Sequence, residues 1–319
     1  MTSTHSDRPQ GFAFAVSAYF LWGFLPLYMK AMAHISPVEV LAHRVLWSLP
    51  IAAAVLWALG RTQDVKAALT TPRTLAMGVV TAALISLNWG VYVWAIVSGH
   101  ALDAALGYYI NPLFSVFLGA VLLGERLNPI KWLAIGLALV AVVILTVDAG
   151  RVPVVAIALT VSWGFYAYFK KSLPIGPNQG FLLEVLLLTP PALAFVIYLM
   201  AQGGGHFLNA NPADTLLLLG CGVVTAVPLM LYANGAKLLR LSTIGLLQYI
   251  VPTMIFLIAV FVFKEPFGQA RMVAFPLIWA ALTLYTTALW REAKRARSYR
   301  KRMSNSCEGV PVTASPALA

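Results

Sequence analysis

The chain is a succession of long apolar runs separated by short clusters of charged residues, proline and glycine. A helix that crosses a bilayer needs about 20 mostly apolar residues, and this pattern supplies ten runs of roughly that length. We predict ten membrane-spanning helices, near residues 11–32, 38–60, 74–97, 101–123, 130–147, 152–170, 180–201, 215–239, 242–263 and 269–290. The connections between them are short, so consecutive helices are expected to run antiparallel.

The apolar segments in the two halves of the chain repeat one another. Trp22 and Gly23 in YFLWGFLPLYMK recur as Trp163 and Gly164 in TVSWGFYAYFKK, 141 residues later. Two further pairs match at offsets of 144 and 140: GVVTA at 78–82 and 222–226, and YINP at 109–112 with YIVP at 249–252. Such similar offsets indicate that one unit occurs twice, with only small insertions.

The repeat predicts the organisation of the chain. We expect a short N-terminal segment, 1–10, two five-helix repeats, 11–150 and 151–290, and a basic tail, 291–319. Because five is an odd number, the second repeat enters the membrane from the opposite side. The predicted fold class is therefore an all-α integral membrane protein with ten transmembrane helices, arranged as two inverted five-helix repeats. Transporters built in this way hold their substrate near the bilayer midplane, between the repeats.

The composition agrees with a membrane protein. Hydrophobic residues make up 60% of the 319 residues and charged residues 10%, with a mean hydropathy of +0.82, which excludes a soluble globular domain. The two cysteines, Cys221 and Cys307, have neither the spacing of a disulfide framework nor that of a metal site. The sequence also lacks a glycine-rich phosphate-binding loop. We therefore expect no cofactor, no metal and no direct use of ATP.

The basic residues are distributed unevenly between the two sides of the predicted bundle. With the N terminus inside, 17 Lys and Arg residues lie on the cytoplasmic side, and four lie on the other. Because basic loops stay in the cytoplasm, both termini are predicted to be cytoplasmic in a multi-pass protein of the inner (plasma) membrane. Much of the net charge of +11 follows the last helix, where it reads as a topology anchor near anionic lipid rather than as a nucleic-acid site.

The sequence also resembles a known family. The segments AYFLWGFLPLYMK, HRVLWSLP, NWGVYVWA and GHALDAALGYYINPLFSVFLGAVLLGERLNPIKWLAIGLAL are similar to the RarD group of EamA-like proteins, in the drug/metabolite transporter superfamily. The resemblance covers nearly all of residues 11–290 and is densest in the first half. It implies a ten-helix inner-membrane transporter for small metabolites or drugs. Asp103 departs from the pattern of the group, which has Glu there, but keeps the charge.

Polar and aromatic residues near the centres of the predicted helices form the candidate substrate site. They suit small amphipathic molecules, including amines held by ring faces. Hydrogen bonding between helices is the alternative explanation, and Gly23 and Gly164 beside the two tryptophans would equally allow close helix packing. The candidate substrate-binding residues are Trp22, Asn88, Tyr92, Tyr108, Tyr109, Asn111, Trp163, Gln248 and Tyr249.

Ionisable residues within the apolar runs are candidates for a gate or for proton coupling. His43 and Glu184 are equivalent in the repeat, but the inverted topology places them near opposite faces of the membrane. Simple pairing at helix ends is the alternative, in which His43 and Arg44 would pair with Glu39. The candidates for gating or coupling are His43, Arg44, His100, Asp103 and Glu184.

The remaining candidates have equally simple alternatives. Glu184 is expected to pair with Lys170 or Lys171. His100 and Asp103 raise the possibility of a membrane enzyme, since a His-Asp couple can act as a base. No nucleophile, metal cluster or extramembrane domain accompanies them, so we expect no catalytic residue and read the couple as a cap or gate.

The sequence therefore predicts a secondary transporter, not an enzyme, which moves a small metabolite or drug-like molecule by alternating access around a midplane pocket. A lipid-moving protein or an assembly partner with the same architecture is the alternative, and a membrane enzyme is less favoured. The expected partners are a small-molecule substrate and membrane lipids, without nucleic acid. Proton coupling and a homodimer remain open.

Overall fold

The computed structural model describes residues 8–60, 63–123, 127–209, 211–239, 243 and 247–308. Within these ranges the chain forms helices and no β-strand. The helices are α1 (Pro9–Ala31), α2 (Pro37–Ala58), α3 (Gln63–Thr70), α4 (Pro72–Val97), α5 (Ala101–Leu123), α6 (Pro129–Ala149), α7 (Val154–Ser172), α8 (Pro177–Ala201), α9 (Pro212–Leu238), α10 (Ile250–Leu257) and α11 (Gln269–Glu308). A single π-helical turn, Ile258–Val262, extends α10.

The lengths and composition of these helices confirm the predicted membrane class. Among the described residues, eight helices are long and apolar enough to cross a bilayer, and two shorter apolar helices span Val154–Lys170 and Ile250–Val262. Their outer surfaces carry large exposed apolar side chains, such as Val147 (76%), Leu216 (69%) and Phe261 (69%). Apolar exposure on this scale is suited to lipid rather than to water.

Proline and asparagine set the starts of many helices. Proline fixes a helical φ and lacks the N–H that the first turn cannot use, so it favours the first position of a helix. The side chains of Asn128 and Asn211 cap α6 and α9 by accepting from the backbone N–H of Lys131 and Ala213. Six helices begin with proline, at Pro9, Pro37, Pro72, Pro129, Pro177 and Pro212. These starts lie within a few residues of the predicted boundaries.

Two helical segments differ from the prediction. The short helix α3 was not predicted, because its apolar side is too short to register as a spanning run, although Val65 and Ala68 are buried. Helix α11 continues to Glu308 instead of ending at 290, because a run of charged residues made of good helix formers need not end a helix. Of the predicted ninth helix, 242–263, the structure describes only 243 and 247–263.

The helices pack in a specific set of pairs. Helix α1 lies against α9 and α10, and α7 lies against α4 and α5. Helix α2 packs on α8 and α9, and α8 also contacts α4. Helix α5 contacts α10, and α6 contacts α11 at the periphery, where Lys131 and Asn128 both bind Glu292 at distances of 2.8 and 2.9 Å.

Glycines allow several of these helices to approach closely. A Cβ atom on Gly23 of α1 would overlap the side chain of Met254 in α10, and one on Gly164 of α7 would overlap the ring of Phe114 in α5. The repeated Trp-Gly pairs are therefore packing positions for their glycines, which was one of the two explanations left open by the sequence. Gly222 of α9 lies directly against the backbone carbonyl of Trp47 in α2.

Contacts between loops define two ends of the bundle. One end, called the Glu39 end, holds the α1–α2, α4–α5 and α8–α9 connections, since Glu39 binds His206 (2.9 Å) and Lys30 Nζ lies 3.4 Å from the carbonyl of Val97. The opposite end, called the Glu184 end, holds the start of α1 and the α7–α8 connection, close to the ion pair of Glu184 with Lys170.

We expect Gly222→Ala to destabilise the protein, because its methyl group would meet the rigid backbone of Trp47 rather than a movable side chain. Overpacking of this kind costs about 1–3 kcal/mol. Thermal unfolding of purified protein in detergent measures the effect. Gly136→Ala is the matched control: nothing lies within 4 Å of a Cβ there, so this variant should be as stable as the wild type or more so. Equal melting temperatures for both variants would contradict the packing.

Candidate functional site

Part of the predicted substrate site converges on a buried arginine. We define the Arg44 cluster as Arg44 of α2, Trp89 and Tyr92 of α4, Tyr108 of α5 and Thr225 of α9. Arg44 Nε donates to Thr225 Oγ1 at 3.1 Å, and its guanidinium carbon lies 4.9 Å from the ring centroid of Trp89. The rings of Tyr92 and Tyr108 are 5.8 Å apart, and both lie close enough to Arg44 to interact with its charge.

Arg44 is deeply buried inside the bundle. It is only 3% exposed and lies seven residues into α2, which corresponds to about 10 Å from the Glu39 end of that helix. No carboxylate among the described residues forms an ion pair with it. The guanidinium therefore lies within the predicted membrane span without a negatively charged partner among these residues.

The contacts of Arg44 offset only part of the cost of its burial. Removing a charged group from water costs several kcal/mol even after the protein relaxes. A desolvated cation–π contact returns about 2 kcal/mol, and a hydrogen bond from a charged donor contributes about 1.5–3 kcal/mol. Trp89 and Thr225 supply one of each. An anionic partner would therefore stabilise the buried guanidinium further.

Several polar atoms around Arg44 lack a partner. Arg44 Nη1 and the hydroxyl oxygens of Tyr92 and Ser48 are buried without a hydrogen bond among the described residues. Ser48 lies one turn after Arg44 on the same face of α2. Buried polar groups normally find partners, so a group of unsatisfied atoms beside an unpaired cation marks this region as a candidate binding site. Metal binding is not indicated, since no three His, Cys, Asp or Glu side chains come together in the part of the chain that was searched.

Asn88 joins helices instead of presenting a free amide. Its Nδ2 donates to the carbonyl of Leu159 at 3.1 Å and to Ser162 Oγ at 2.9 Å, both in α7. Its Oδ1 accepts from the hydroxyl of Tyr108 at 3.3 Å. The structure thus favours helix packing for Asn88, while the same bonds fix the position of Tyr108 in the Arg44 cluster.

The other predicted substrate residues in the first half do not join this cluster. Tyr109 faces α10 and α11, where its hydroxyl bonds Thr253 Oγ1 at 2.9 Å and its ring lies 6.2 Å from that of Phe275. Trp22 packs 5.7 Å from Tyr232 in α9. Adjacent residues of one helix point about 100° apart, and here Tyr108 and Tyr109 face different neighbours.

The remaining predicted substrate residues lie elsewhere in the bundle. Trp163 packs on Tyr166 of its own helix, with ring centroids 5.7 Å apart. Asn111 is 6% exposed and its Oδ1 has no partner among the described residues. Gln248 and Tyr249 form a turn just before α10 and are both half-buried. These residues do not converge on a single pocket with Arg44.

The expected pairing of His43 and Arg44 with Glu39 is wrong. Glu39 instead accepts from the backbone N–H of His206 at 2.6 Å and pairs with His206 Nδ1 at 2.9 Å. His43 Nδ1 accepts from the indole N–H of Trp47 at 2.9 Å, and Arg44 turns into the interior towards Thr225. The connection between α8 and α9 reaches Glu39 in space, which the linear sequence does not reveal.

The expected pair of Glu184 with Lys170 is confirmed. Lys170 Nζ lies 2.6 Å from Glu184 Oε1, and the hydroxyl of Tyr166 donates to Oε2 at 3.2 Å. Glu184 is 1% exposed, so its carboxylate lies inside the bundle at the Glu184 end.

His100 and Asp103 do not form a catalytic couple. Asp103 accepts from Arg271 Nη2 at 3.1 Å, while the ring of His100 stacks on Trp94 with centroids 5.1 Å apart. Their contacts therefore link α5 to α11 and α4, as expected for a structural or gating position.

Polar contacts tie together several helices at the Glu39 end. The carboxylate of Glu265 accepts from the backbone N–H groups of Ala101 and Leu102 at 2.7 and 2.9 Å, and so caps α5. His34 pairs with Asp214 at 2.9 Å, and the rings of His34 and His206 are 5.8 Å apart. Glu125, the repeat equivalent of Glu265, lies outside the described residues.

Sequence reasoning missed Trp89, Ser48 and Thr225. Trp89 adjoins Asn88 in the segment NWGVYVWA, and Thr225 belongs to the second copy of the repeated GVVTA segment. Ser48 follows Arg44 at the i+4 spacing of one helical face. These signals were present, but none of them indicated which face of each helix turns towards Arg44.

The chain is similar to known transporters over most of its length. The EamA-like transporter family matches it twice, at residues 9–147 and 151–287. An "Uncharacterized transporter" of Vibrio cholerae is 39% identical over 94% of this chain and 99% of its own length. "Protein RarD" of Streptomyces exfoliatus is 38% identical over 92% of this chain and 93% of its own, and "Chloramphenicol-sensitive protein RarD" of Pseudomonas aeruginosa is 30% identical over 92% and 98%.

A solved crystal structure shares the fold. It covers 88% of this chain and 98% of its own chain with a TM-score of 0.58, at 20% sequence identity. At this identity the likeness concerns the fold alone.

We expect Asn88→Leu to destabilise the protein, because it removes the bonds to α7 and leaves the Tyr108 hydroxyl without its acceptor. The expected loss is about 0.5–2 kcal/mol, within the range for hydrogen bonds between membrane helices. Thermal unfolding in detergent measures it. Asn111→Leu is the matched control, since the amide oxygen of Asn111 has no partner to lose. An Asn88→Leu variant as stable as the Asn111→Leu variant would contradict the bonding described.

Proposed function

The chain belongs to the EamA-like transporter family, and on this basis we propose that it is a secondary transporter that moves a small organic molecule across the inner membrane by alternating access. Ten spanning helices in two inverted repeats, residues 11–150 and 151–290, form its transport unit. The N-terminal residues 1–10 and the basic tail 291–319 flank this unit on the cytoplasmic side.

The helix contacts carry this proposal. Pairing α1, α2, α4, α5 and α6 with α7, α8, α9, α10 and α11 in that order converts the most extensive contacts between the halves into other observed contacts. The contacts of α1 with α9 and α10 become those of α7 with α4 and α5, and the contact of α2 with α9 becomes that of α8 with α4. The pairs α2–α8, α5–α10 and α6–α11 map onto themselves. Such a pattern is expected of a pseudo-two-fold axis between two copies.

Individual residues follow the same exchange. Gly23 packs on Met254, and Gly164 packs on Phe114. Gly164 follows Gly23 by 141 residues and Met254 follows Phe114 by 140, which are the offsets of the sequence repeat. Two equivalent contacts of this kind allow the copies to exchange conformations, which is the basis of alternating access.

The two ends of the bundle serve as gates in this mechanism. We assign the Glu39 end to the outer face, because the basic residues of the described helices concentrate at the opposite end. In the present conformation the outer gate is held by the pairs Glu39–His206 and Asp214–His34. Lys170 and Glu184 form the corresponding pair at the cytoplasmic end.

The Arg44 cluster is the proposed centre of the substrate site. It joins α2, α4 and α5 of the first repeat to α9 of the second, so a molecule bound there senses the arrangement of both. The P. aeruginosa relative is named for sensitivity to chloramphenicol, which is consistent with a drug-sized substrate. The other predicted substrate residues lie away from the cluster, so their roles in binding remain secondary proposals. These residues are Trp22, Tyr109, Asn111, Trp163, Gln248 and Tyr249.

A lipid path is less well supported. A lipid-moving protein needs a lateral groove with polar residues that continue from the interior to the interface. The groove between α2 and α4, of about 490 Å³, is lined by apolar side chains apart from Ser86, whose hydroxyl already donates to the carbonyl of Ala83. The observed groove therefore lacks the polar lining that lipid headgroups require.

We expect purified protein in proteoliposomes to move at least one compound from a panel of amino acids, organic acids, aromatic amines and chloramphenicol, with and without a pH gradient. Tyr92→Phe should lower that flux by about threefold or more, the value of one neutral hydrogen bond to the substrate. Its stability should not fall, because the Tyr92 hydroxyl has no partner in the bundle.

Tyr198→Phe is the matched control for this experiment, because Tyr198 is 59% exposed on the outer surface of α8. Unchanged flux in the control and reduced flux in Tyr92→Phe would support the site. Absence of flux for every compound with folded protein would contradict the transport function. An effect of the pH gradient that is absent from liposomes without the protein would identify proton coupling.

We expect disruption of the outer gate to expose Cys221. Its thiol is fully buried, with Sγ 3.9 Å from Met32 Sδ below the Glu39 end. In a Cys307→Ser background, the double variant Glu39→Gln, Asp214→Asn removes both carboxylate partners of the histidines. Each pair contributes about 1 kcal/mol at most. Loss of both pairs should favour opening of this end enough to make maleimide labelling of Cys221 about tenfold faster.

The control for the labelling experiment is Glu292→Gln, which breaks a pair between α6 and α11 at the other end of the bundle. Labelling there should remain at the wild-type rate. If the double variant labels no faster than this control, the Glu39 end is not a gate.

A further inference from the structure

We propose that Arg44 binds the carboxylate of the transported molecule, and that the substrate is a small organic carboxylate with an apolar body. This inference rests on the proposed transport function and adds the substrate class to it. It also differs from the expectation of amines, which the aromatic residues alone had suggested.

Among the described residues, the bundle offers Arg44 no anion of its own. Each carboxylate that is buried or half-buried in the described part of the chain already has a partner elsewhere. Four of them form ion pairs, and the fifth accepts two backbone N–H groups at the start of α5. The five are Glu39 with His206, Asp103 with Arg271, Glu184 with Lys170, Asp214 with His34, and Glu265 with Ala101 and Leu102.

The guanidinium is fixed in an orientation that leaves a donor free. Its Nε is bound to Thr225 Oγ1, and its plane is held near the ring of Trp89. Nη1 is buried without a partner, as is the hydroxyl of Tyr92. A carboxylate has two oxygens that accept from such donors, and a guanidinium binds it more strongly than a neutral donor does.

The surroundings of Arg44 favour a single negative charge with an apolar body. The rings of Trp89, Tyr92 and Tyr108 supply flat apolar surfaces next to the guanidinium. Since Arg44 is the only cation of the cluster, a doubly charged phosphate would remain uncompensated there. A free amine would be repelled by the same charge, so the cation excludes simple amines.

The position of the cluster links this binding to transport. Arg44 extends from α2 of the first half, and its bond to Thr225 reaches α9 of the second half. A carboxylate bound at the free Nη1 would share the guanidinium with Thr225 and so act directly on a contact between the halves. Because Arg44 is 3% exposed, the ligand reaches it only when these helices separate.

Binding and flux of matched probes test the inference. The probes are 3-phenylpropionate and 4-methylpentanoate, their neutral amides, and 2-phenylethylamine. We expect each acid, but not its amide or the amine, to raise the melting temperature of the wild-type protein in detergent and to be transported in proteoliposomes. The Kd of each acid should be at least tenfold lower than that of its amide.

Variants of Arg44 separate charge from geometry. Arg44→Met should weaken binding of the acids at least tenfold and abolish their preference over the amides. It should not unfold the protein, because it removes a buried unpaired charge and keeps similar volume. Arg44→Lys should retain part of the preference, since it keeps the charge but loses the planar fork. Arg73→Met, at the exposed start of α4, is the matched control and should bind the acids as the wild type does.

Each outcome bears on one proposal or the other. Acid binding that survives Arg44→Met, or equal binding of acid and amide by the wild type, overturns the carboxylate site. Transport of the amides or the amine without the acids overturns it too, while the transport function stands. Acid-specific binding that requires Arg44, in the absence of any flux, supports the carboxylate site and contradicts transport. Failure of the wild type to bind either acid overturns the inference.

Discussion

The bilayer removes water as a hydrogen-bond partner, and the polar side chains of this protein are placed accordingly. Glu265 accepts from the two backbone N–H groups that begin α5, and the amide of Asn88 forms hydrogen bonds with α7 and with Tyr108. Thr160 donates to the carbonyl of Gly107, where α5 and α7 are closest. Because lipid is as apolar as the helix surfaces, such bonds and close van der Waals contacts, rather than exclusion from water, hold these helices together.

Besides these hydrogen bonds, glycines allow the helices to approach one another closely. Gly23 and Gly164 let α1 and α7 come against α10 and α5, and Gly222 brings α9 onto the backbone of α2. The contacts of Gly23 with Met254 and of Gly164 with Phe114 lie at equivalent positions of the two halves. Two equivalent sets of contacts are consistent with the alternating access that we propose.

Arg44 is one of the buried residues with a polar atom that lacks a partner in the described part of the chain, and it carries a charge. Its cation is buried with one hydrogen bond and one ring face, and an interior donor remains unused. An ionisable residue of this type within a membrane-spanning helix is costly and points to a functional role. Around this residue the bundle places aromatic surface on α4 and α5 and a link to α9. The proposed binding would therefore act on a side chain that also joins the two halves.

The run lengths and repeat offsets by themselves determined the helical membrane class, the helix starts to within a few residues, and the two matching halves. This follows because the thickness of the bilayer and the need to satisfy the backbone leave few alternatives to helices of that length. Even the pair of Glu184 with Lys170 followed from depth along neighbouring helices.

Rotation of each helix about its axis was decided only by the tertiary structure. The sequence grouped Tyr108 with Tyr109 and paired Arg44 with Glu39, yet the tyrosines face different helices, Arg44 bonds Thr225, and Glu39 binds His206. In an all-apolar spanning helix no hydrophobic period marks the inner face, since lipid and core are equally apolar. Which polar residues meet is therefore fixed by close packing between helices distant in sequence.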